Sequence, residues 1–211
     1  VKGRFLGLNE WIQPRFSFGG HPLSKPFSVQ LRTYGRYAAE SALAAAGVGL
    51  NFGISATKIK SVLENYRPRS KRMEVSKVHG VTILNDTYNA NPDSVLAALK
   101  TLALMECKGE KIVVLGDMLE LGEVSEREHR SIGREVRSLR LEYVLTYGPQ
   151  SAVIAAESSA PYAFHYEEKS MLIAYLEELV TPGDIVLVKG SRGMKMEDVV
   201  IHLTECLRAG K

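Results

Sequence analysis

Ile112-Val113-Val114-Leu115-Gly116-Asp117-Met118-Leu119-Glu120 is the stretch on which the reading of this chain turns. Its apolar residues do not alternate with polar ones, and the run stops at a glycine and a polar turn. A run this short, apolar at both parities, suits a strand whose two faces are both covered. The same form recurs at Val81-Thr82-Ile83-Leu84, Tyr143-Val144-Leu145-Thr146, Ala163-Phe164-His165-Tyr166 and Asp184-Ile185-Val186-Leu187-Val188. Helical patterns over 94–105, 125–139, 150–157, 170–180 and 196–207 fall between and after these runs. Strands alternating with helices predict an α/β, mostly parallel, doubly wound sheet with flanking helices. Two helix starts are marked: Asn91-Pro92-Asp93 sets a cap before a first-turn proline, and Ser125-x-x-Glu128 reads as a capping box.

Upstream the pattern changes. Arg4-Phe5-Leu6-Gly7-Leu8, Arg15-Phe16-Ser17-Phe18-Gly19-Gly20 and Pro26-Phe27-Ser28-Val29-Gln30-Leu31-Arg32 alternate between turn residues, predicting an antiparallel meander. Helical stretches follow at 37–46 and 55–66, and Arg67-Pro68-Arg69-Ser70-Lys71-Arg72 interrupts them. The boundary lies there, separating residues 1–70 from 71–211.

Composition narrows the function. The 211 residues are 45% hydrophobic and 24% charged, enough for a core and far from a disordered composition. The net charge of +3 is spread along the chain, so charge does not point to nucleic acid. No apolar run approaches the ~20 residues that span a bilayer, and no leader pattern precedes the first strand, which predicts a soluble chain without membrane insertion. Cys107 and Cys206 stand alone, outside any C-x-x-C pair, which fits a reducing cytoplasm. The first residue is Val1, which suggests a fragment or a processed chain.

In open parallel sheets, ligands bind beyond the carboxyl ends of the strands. Three polar loops fall there: Asn85-Asp86-Thr87-Tyr88-Asn89-Ala90-Asn91-Pro92, Gly116-Asp117-Met118-Leu119-Glu120 and Lys189-Gly190-Ser191-Arg192-Gly193. They carry carboxylates, amides, a hydroxyl and two cations, equipment for an anionic or amide-bearing ligand. Each also has a plainer reading. Asp86 and the asparagines turn chains and cap helices, Asn91 is a cap on either reading, and Asp117 can cap its own turn. Lys189 and Arg192, beside glycines that enter a helix, suit an anion held on backbone N–H groups. Gly47-x-Gly49-x-x-x-Gly53 has the wrong spacing for a dinucleotide fingerprint and reads as a helix end. His21, His79, His129, His165 and His202 lack metal spacing and read as surface or packing residues. No phosphate-cradling G-x-x-x-x-G-K-[ST] and no G-x-S-x-G occurs.

Three ordered motifs carry a resemblance. Asp86-Thr87-Tyr88-Asn89-Ala90-Asn91-Pro92-Asp93-Ser94 is followed by Gly116-Asp117-Met118-Leu119-Glu120-Leu121-Gly122-Glu123 with Ser125 and His129. Val188-Lys189-Gly190-Ser191-Arg192-Gly193-Met194 with Met196-Glu197 comes last. Together they resemble the Mur ligase family, and within it the branch that joins D-Ala-D-Ala to UDP-N-acetylmuramoyl tripeptide. The resemblance implies that 1–70 is the end of a central ATPase domain whose P-loop lies upstream. It implies that 71–211 is a C-terminal Rossmann-like domain. The implied activity is ATP-dependent amide formation through an acyl phosphate, in cytoplasmic peptidoglycan precursor synthesis, with this fragment inactive alone. ATP and magnesium are the implied cofactors, the phosphate and metal sites lying outside this chain. By position, Arg72 matches the arginine that reaches ATP, and Asp86 the acid that meets the ribose side. Asn89 and Asn91 fall in the stretch diagnostic of the D-Ala-D-Ala branch, and Lys189, Ser191 and Arg192 match residues facing the peptide substrate. The family pattern Gly-x-His-Asn-x-x-Asn aligns with Gly35 to Ser41, so Tyr37, Ala38 and Ser41 replace its polar trio. An adenine-associated asparagine is thereby lost, and Tyr37 offers an aromatic face instead. The competing reading is a non-catalytic Rossmann-like module that binds nucleotide or peptide.

Overall fold

The apolar runs become strands buried on both faces because their alternate residues feed two different cores. In the computed structural model, which describes residues 2–8, 13–20, 25–67 and 70–210, the chain divides into two compact units, Val1–Pro68 and Arg69–Lys211. His21, Pro68 and Arg69, named above, lie outside the described residues.

The first unit is a three-stranded antiparallel sheet, β1 (Lys2–Leu8), β2 (Pro14–Gly19) and β3 (Phe27–Gln30), in that order. Helices α1 (Arg36–Asn51) and α2 (Ala56–Asn65) follow. Phe16 and Phe18, two apart on β2, reach the same face as Val29, and there they meet Ala39, Ala42 and Ala46 of α1 and Ile59 of α2. Alanines at helical spacing let α1 lie close to the sheet. That helix runs five residues beyond the expected end, through Gly47 and Gly49, and the chain turns at Gly53 with φ 77°. Ser55 caps α2, its hydroxyl accepting the Lys58 N–H.

The second unit is a six-stranded sheet. Its strands are β4 (Glu74–Val78), β5 (Val81–Asp86), β6 (Lys111–Gly116), β7 (Tyr143–Tyr147), β8 (Tyr162–Tyr166) and β9 (Ile185–Lys189), in the order β4-β5-β9-β6-β7-β8. All neighbours pair in parallel except β4 with β5. Strand β4 was not anticipated: in Glu74-Val75-Ser76-Lys77-Val78 three of five residues are polar, as an edge strand with one covered face allows.

Helices α3 (Pro92–Leu104), α4 (Ser125–Ser138), α5 (Ala152–Ser158), α6 (Lys169–Leu179) and α7 (Glu197–Ala209) start and end within a few residues of expectation. On one face, Leu84, Val113, Leu115 and Leu187 pack against Val95, Leu99 and Leu102 of α3, Ile132 and Val136 of α4 and Ile154 of α5. On the other, Ile83, Ile112, Val114, Val186 and Val188 pack against Leu172 and Leu176 of α6 and Val199 and Leu203 of α7. Truncating one such leucine to alanine costs about 2–5 kcal/mol.

The expected box at Ser125 does not form. A single 3-10 turn, Gly122–Val124, runs straight into α4, so Ser125 is already helical and its N–H bonds to the Gly122 carbonyl. Asn91 does form a reciprocal box, its amide oxygen accepting the Ser94 N–H (2.8 Å) while Ser94 Oγ accepts the Asn91 N–H (3.1 Å).

Candidate functional site

Strand β9 is last in sequence yet lies between β5 and β6. From β5 the chain leaves to α3 on one face, and from β9 it leaves to α7 on the other. Two neighbouring parallel strands with loops departing in opposite directions open a crevice at their carboxyl ends. Loop 86–91 and loop 189–195 line it, with residues 70–73 beside the first and loop 116–121 beside the second.

The crevice is built on a buried ion pair. Lys189, 2% exposed, donates from Nζ to Asp86 Oδ2 (2.6 Å) and to the Asn89 carbonyl (2.9 Å). The other Asp86 oxygen accepts the Met73 N–H (2.9 Å), so one carboxylate ties the segment before β4 to the ends of β5 and β9. Two site residues that the sequence sends to different ligands are thus spent first on each other. Each Asp86 oxygen keeps lone-pair capacity for a further donor.

Ser191 is equally committed. Its hydroxyl donates to the Ala90 carbonyl (3.2 Å) and accepts the Leu119 N–H (2.8 Å), while its N–H bonds to the Asp117 carbonyl (3.0 Å). It joins three loops from a buried position instead of facing outward. Gly116 and Gly190 make this approach possible: a Cβ on Gly190 would stand 2.6 Å from Met196 Cγ and 3.2 Å from Gly116 Cα.

Loop 116–121 is held from behind by Asp117, whose plainer reading was a cap of its own turn, and by His129, read as a surface or packing residue. The buried Asp117 carboxylate accepts the N–H groups of Gln150 and Ser151 (2.7 Å for Ser151), so it caps the turn after β7 and not its own turn. His129, fully buried on α4, faces a carbonyl at Nδ1 (Ser125, 2.8 Å) and the Met118 N–H at Nε2 (3.0 Å). These partners fix the neutral tautomer with the proton on Nδ1. It is a packing histidine as expected, and also an acceptor that fixes a site loop.

The outer layer carries the exposed groups. Arg192, its side chain 60% exposed, donates to Glu197 Oε1 (3.0 Å), and the same oxygen accepts Lys71 Nζ (2.9 Å). The Arg192 N–H reaches Asn89 Oδ1 (3.3 Å), joining the two crevice loops at the surface. Burial pushes the Glu197 carboxyl up, but the Lys71 hydrogen bond, its own backbone N–H and the charges of Lys71 and Arg192 outweigh burial. The net value lies below the usual carboxylate range. Lys71 takes φ 64°, a conformation that favours glycine, and its carbonyl accepts the Tyr88 N–H (2.9 Å). Arg72 stacks on the Tyr88 ring, 4.0 Å from its centroid. Tyr37 lies in the first unit on α1, half exposed.

The crevice therefore assembles Arg72, Asp86, Asn89, Asn91, Lys189, Ser191 and Arg192. Sequence reasoning quoted Lys71, Tyr88 and Glu197 within its motifs and boundary cluster but gave them no role in the site. The available signal for Glu197 was its place in the first turn of a helix that follows a cationic loop. Lys71, Arg72, Lys189 and Arg192 stand here beside the carboxylates of Asp86, Glu197 and Glu74, the last accepting the Lys71 N–H (3.0 Å).

The family model described as "Mur ligase, glutamate ligase domain" matches residues 71–192. The chain is 36% identical over 176 residues to UDP-N-acetylmuramoyl-tripeptide--D-alanyl-D-alanine ligase of Bacillus subtilis, covering 81% of this chain and 38% of that protein. It is 36% identical over 180 residues to the Escherichia coli enzyme of the same name, covering 84% and 39%. Among solved structures, MurF from Acinetobacter baumannii superposes with a TM-score of 0.85 at 26% identity, covering 95% of this chain and 44% of that one. MurF ligase from Thermotoga maritima in complex with ADP gives 0.83 at 23% identity, covering 99% and 47%, and supports the fold. The chain spans about two fifths of the length of these curated relatives, and on the family match over more than half of its residues it belongs to the Mur ligase family.

Proposed function

We propose that this chain is the closing portion of an ATP-dependent ligase that adds D-Ala-D-Ala to UDP-N-acetylmuramoyl tripeptide, in the cytoplasm, during peptidoglycan precursor synthesis. Residues 1–70 are the end of a central ATPase domain, and 71–211 are its C-terminal domain. The observation that carries the reading is the crevice at the strand switch point with the exposed Arg72 and Arg192 at its loops, in a chain 36% identical to two ligases of that name.

The chemistry asks for positioning and charge neutralisation more than for a protein nucleophile. A tripeptide carboxylate oxygen attacks the γ-phosphorus of ATP, ADP departs, and an acyl phosphate forms. The D-Ala-D-Ala amine then attacks the acyl carbon, phosphate leaves with the bonding pair, and the amine gives up a proton. Arg72 offers its N–H edge to the nucleotide phosphates. Asp86, anchored by Lys189, accepts from a ribose hydroxyl with its remaining lone pairs. Arg192, Asn89 and the loops that Lys189, Ser191 and Asn91 brace orient the incoming dipeptide, whose carboxylate suits a guanidinium. Among the described residues no group of three or more His, Cys, Asp or Glu stands at metal distance. The magnesium implied by this chemistry is accordingly assigned to no residue here.

Phosphate release with ATP, UDP-N-acetylmuramoyl tripeptide and D-Ala-D-Ala tests the reading, run on this chain and on the product of its reading frame extended upstream. Release by the longer product alone, requiring all three substrates, is expected. Silence from both would move the reading to a non-catalytic binding module. In the longer product, Arg72→Ala should lower turnover at least about tenfold, and unchanged steady-state kinetics would remove Arg72 from the nucleotide site.

A further inference from the structure

Four cations converge on the crevice, and three are already engaged by a carboxylate: Lys189 by Asp86, and Lys71 and Arg192 by Glu197. Arg72 differs. Among the described residues it has no ion pair and no side-chain hydrogen bond, and its guanidinium lies against the Tyr88 ring at 4.0 Å. A guanidinium held over an aromatic face by its carbon still has N–H donors to offer beyond the ring. The stack is built and not incidental. The Tyr88 N–H is bonded to the carbonyl of Lys71, the residue before Arg72, and the Met73 N–H, on the residue after it, is bonded to Asp86. Backbone fastenings on both sides therefore hold the arginine over the ring. The tyrosine itself is 43% exposed and stands at the mouth of the crevice, so its ring covers no core.

We propose that Tyr88 is a positioning residue for Arg72: its ring holds the guanidinium in place, with N–H donors presented to an oxyanion of the nucleotide. The proposal rests on the reading of Arg72 as a nucleotide contact. The ring acts through its face, so its hydroxyl is dispensable and any aromatic residue of similar size serves. A carboxylate partner in its place would occupy the same N–H donors that the phosphate needs, which is the physical reason for an aromatic here.

The test is ADP affinity by calorimetry on the extended reading-frame product, comparing wild type, Arg72→Ala, Tyr88→Phe, Tyr88→Leu and Arg72→Ala/Tyr88→Leu. Both positions are exposed, so folding is not at stake, and thermal unfolding of each variant checks that. The expected pattern is a loss of roughly three- to tenfold in Tyr88→Leu, affinity within about twofold of wild type in Tyr88→Phe by the same stacking argument, and a double variant no weaker than Arg72→Ala. Should Arg72→Ala bind ADP as well as wild type, the nucleotide reading of Arg72 falls and the proposal falls with it. With Arg72→Ala impaired, the proposal alone is overturned if Tyr88→Leu binds normally, if Tyr88→Phe is as weak as Tyr88→Leu, or if the two losses add.

Discussion

The two ends of the six-stranded sheet are both stapled by a carboxylate, buried among neutral donors at the amino end and half-buried against a lysine at the carboxyl end. At the amino end, Asp184 is 2% exposed and accepts the N–H groups of Glu110 (2.7 Å) and Thr181 (2.7 Å) and the Thr181 hydroxyl (3.2 Å). Its partners are neutral, and the loops it joins end there. Cys107 sits beside it with its thiol pushed up by burial, a thiol of low nucleophilicity. At the carboxyl end, Asp86 does the same stapling with a cation as partner, and around that pair stand Lys71, Arg72 and Arg192. A carboxylate bound by backbone N–H groups is a finished structural joint. A carboxylate bound by a lysine, with the exposed guanidinium of Arg72 nearby, leaves lone pairs and N–H donors that a ligand can still meet.

The largest expected effect probes the two staples directly. Asp86→Ala strands a buried lysine and should destabilise the second unit by about 3–5 kcal/mol, measured by urea unfolding. Asp86→Ala/Lys189→Met should recover most of that loss by removing the orphaned charge. Asp184→Ala should also destabilise, yet leave ADP affinity of the extended product unchanged; weaker ADP binding there would erase the distinction between the two ends.

A smaller effect is expected behind the crevice. His129→Leu removes the acceptor of the Met118 N–H and should cost about 1–3 kcal/mol, with faster amide exchange confined to residues 116–121. Exchange unchanged in that loop would show that His129 only fills space. Asn91→Ala should cost about 1 kcal/mol through the lost cap, read from the thermal midpoint. If it also raises the KM for D-Ala-D-Ala, Asn91 contacts the dipeptide as well as capping α3.

Glu197→Gln should move stability least, within about 1 kcal/mol, because Arg192 is mostly exposed. The sign of its pH dependence is fixed by the depressed carboxyl. Its contribution is complete above the ordinary glutamate value of 4.5 and fades as pH falls through the lower folded-state value. The stability gap between wild type and Glu197→Gln should therefore be largest above pH 4.5 and close on further acidification. A gap that widens in acid would contradict the pairing with Lys71 and Arg192.

The same contrast shows what could be read in advance. The paired-parity runs at 81–84, 112–115 and 184–188 announced strands covered on both sides, and α3 announced its start through Asn91 and Pro92, since such signals lie within a few residues. The capping box expected at Ser125 failed for an equally local reason, a preceding 3-10 turn that supplies the carbonyl first. Strand β4 escaped because an edge strand with one dry face has no full apolar run. The site loops were found by their polar residues at strand ends. Their internal allocation was not: Ser191 and Lys189, read as facing a substrate, also brace the loops from within, while Tyr88 and Glu197, quoted only as parts of motifs, hold the exposed arginines.

By itself the sequence determined where strands and helices lie, which loops share an edge, and the family whose motifs those loops carry, because apolar period, caps and motifs are properties of adjacent residues. The tertiary structure alone decided that β9 inserts between β5 and β6, and so that Lys189 meets Asp86 across 103 positions. Strand order and ion pairing are choices among distant partners of nearly equal local merit. They are settled by which arrangement buries both apolar faces of each strand while leaving no buried charge alone.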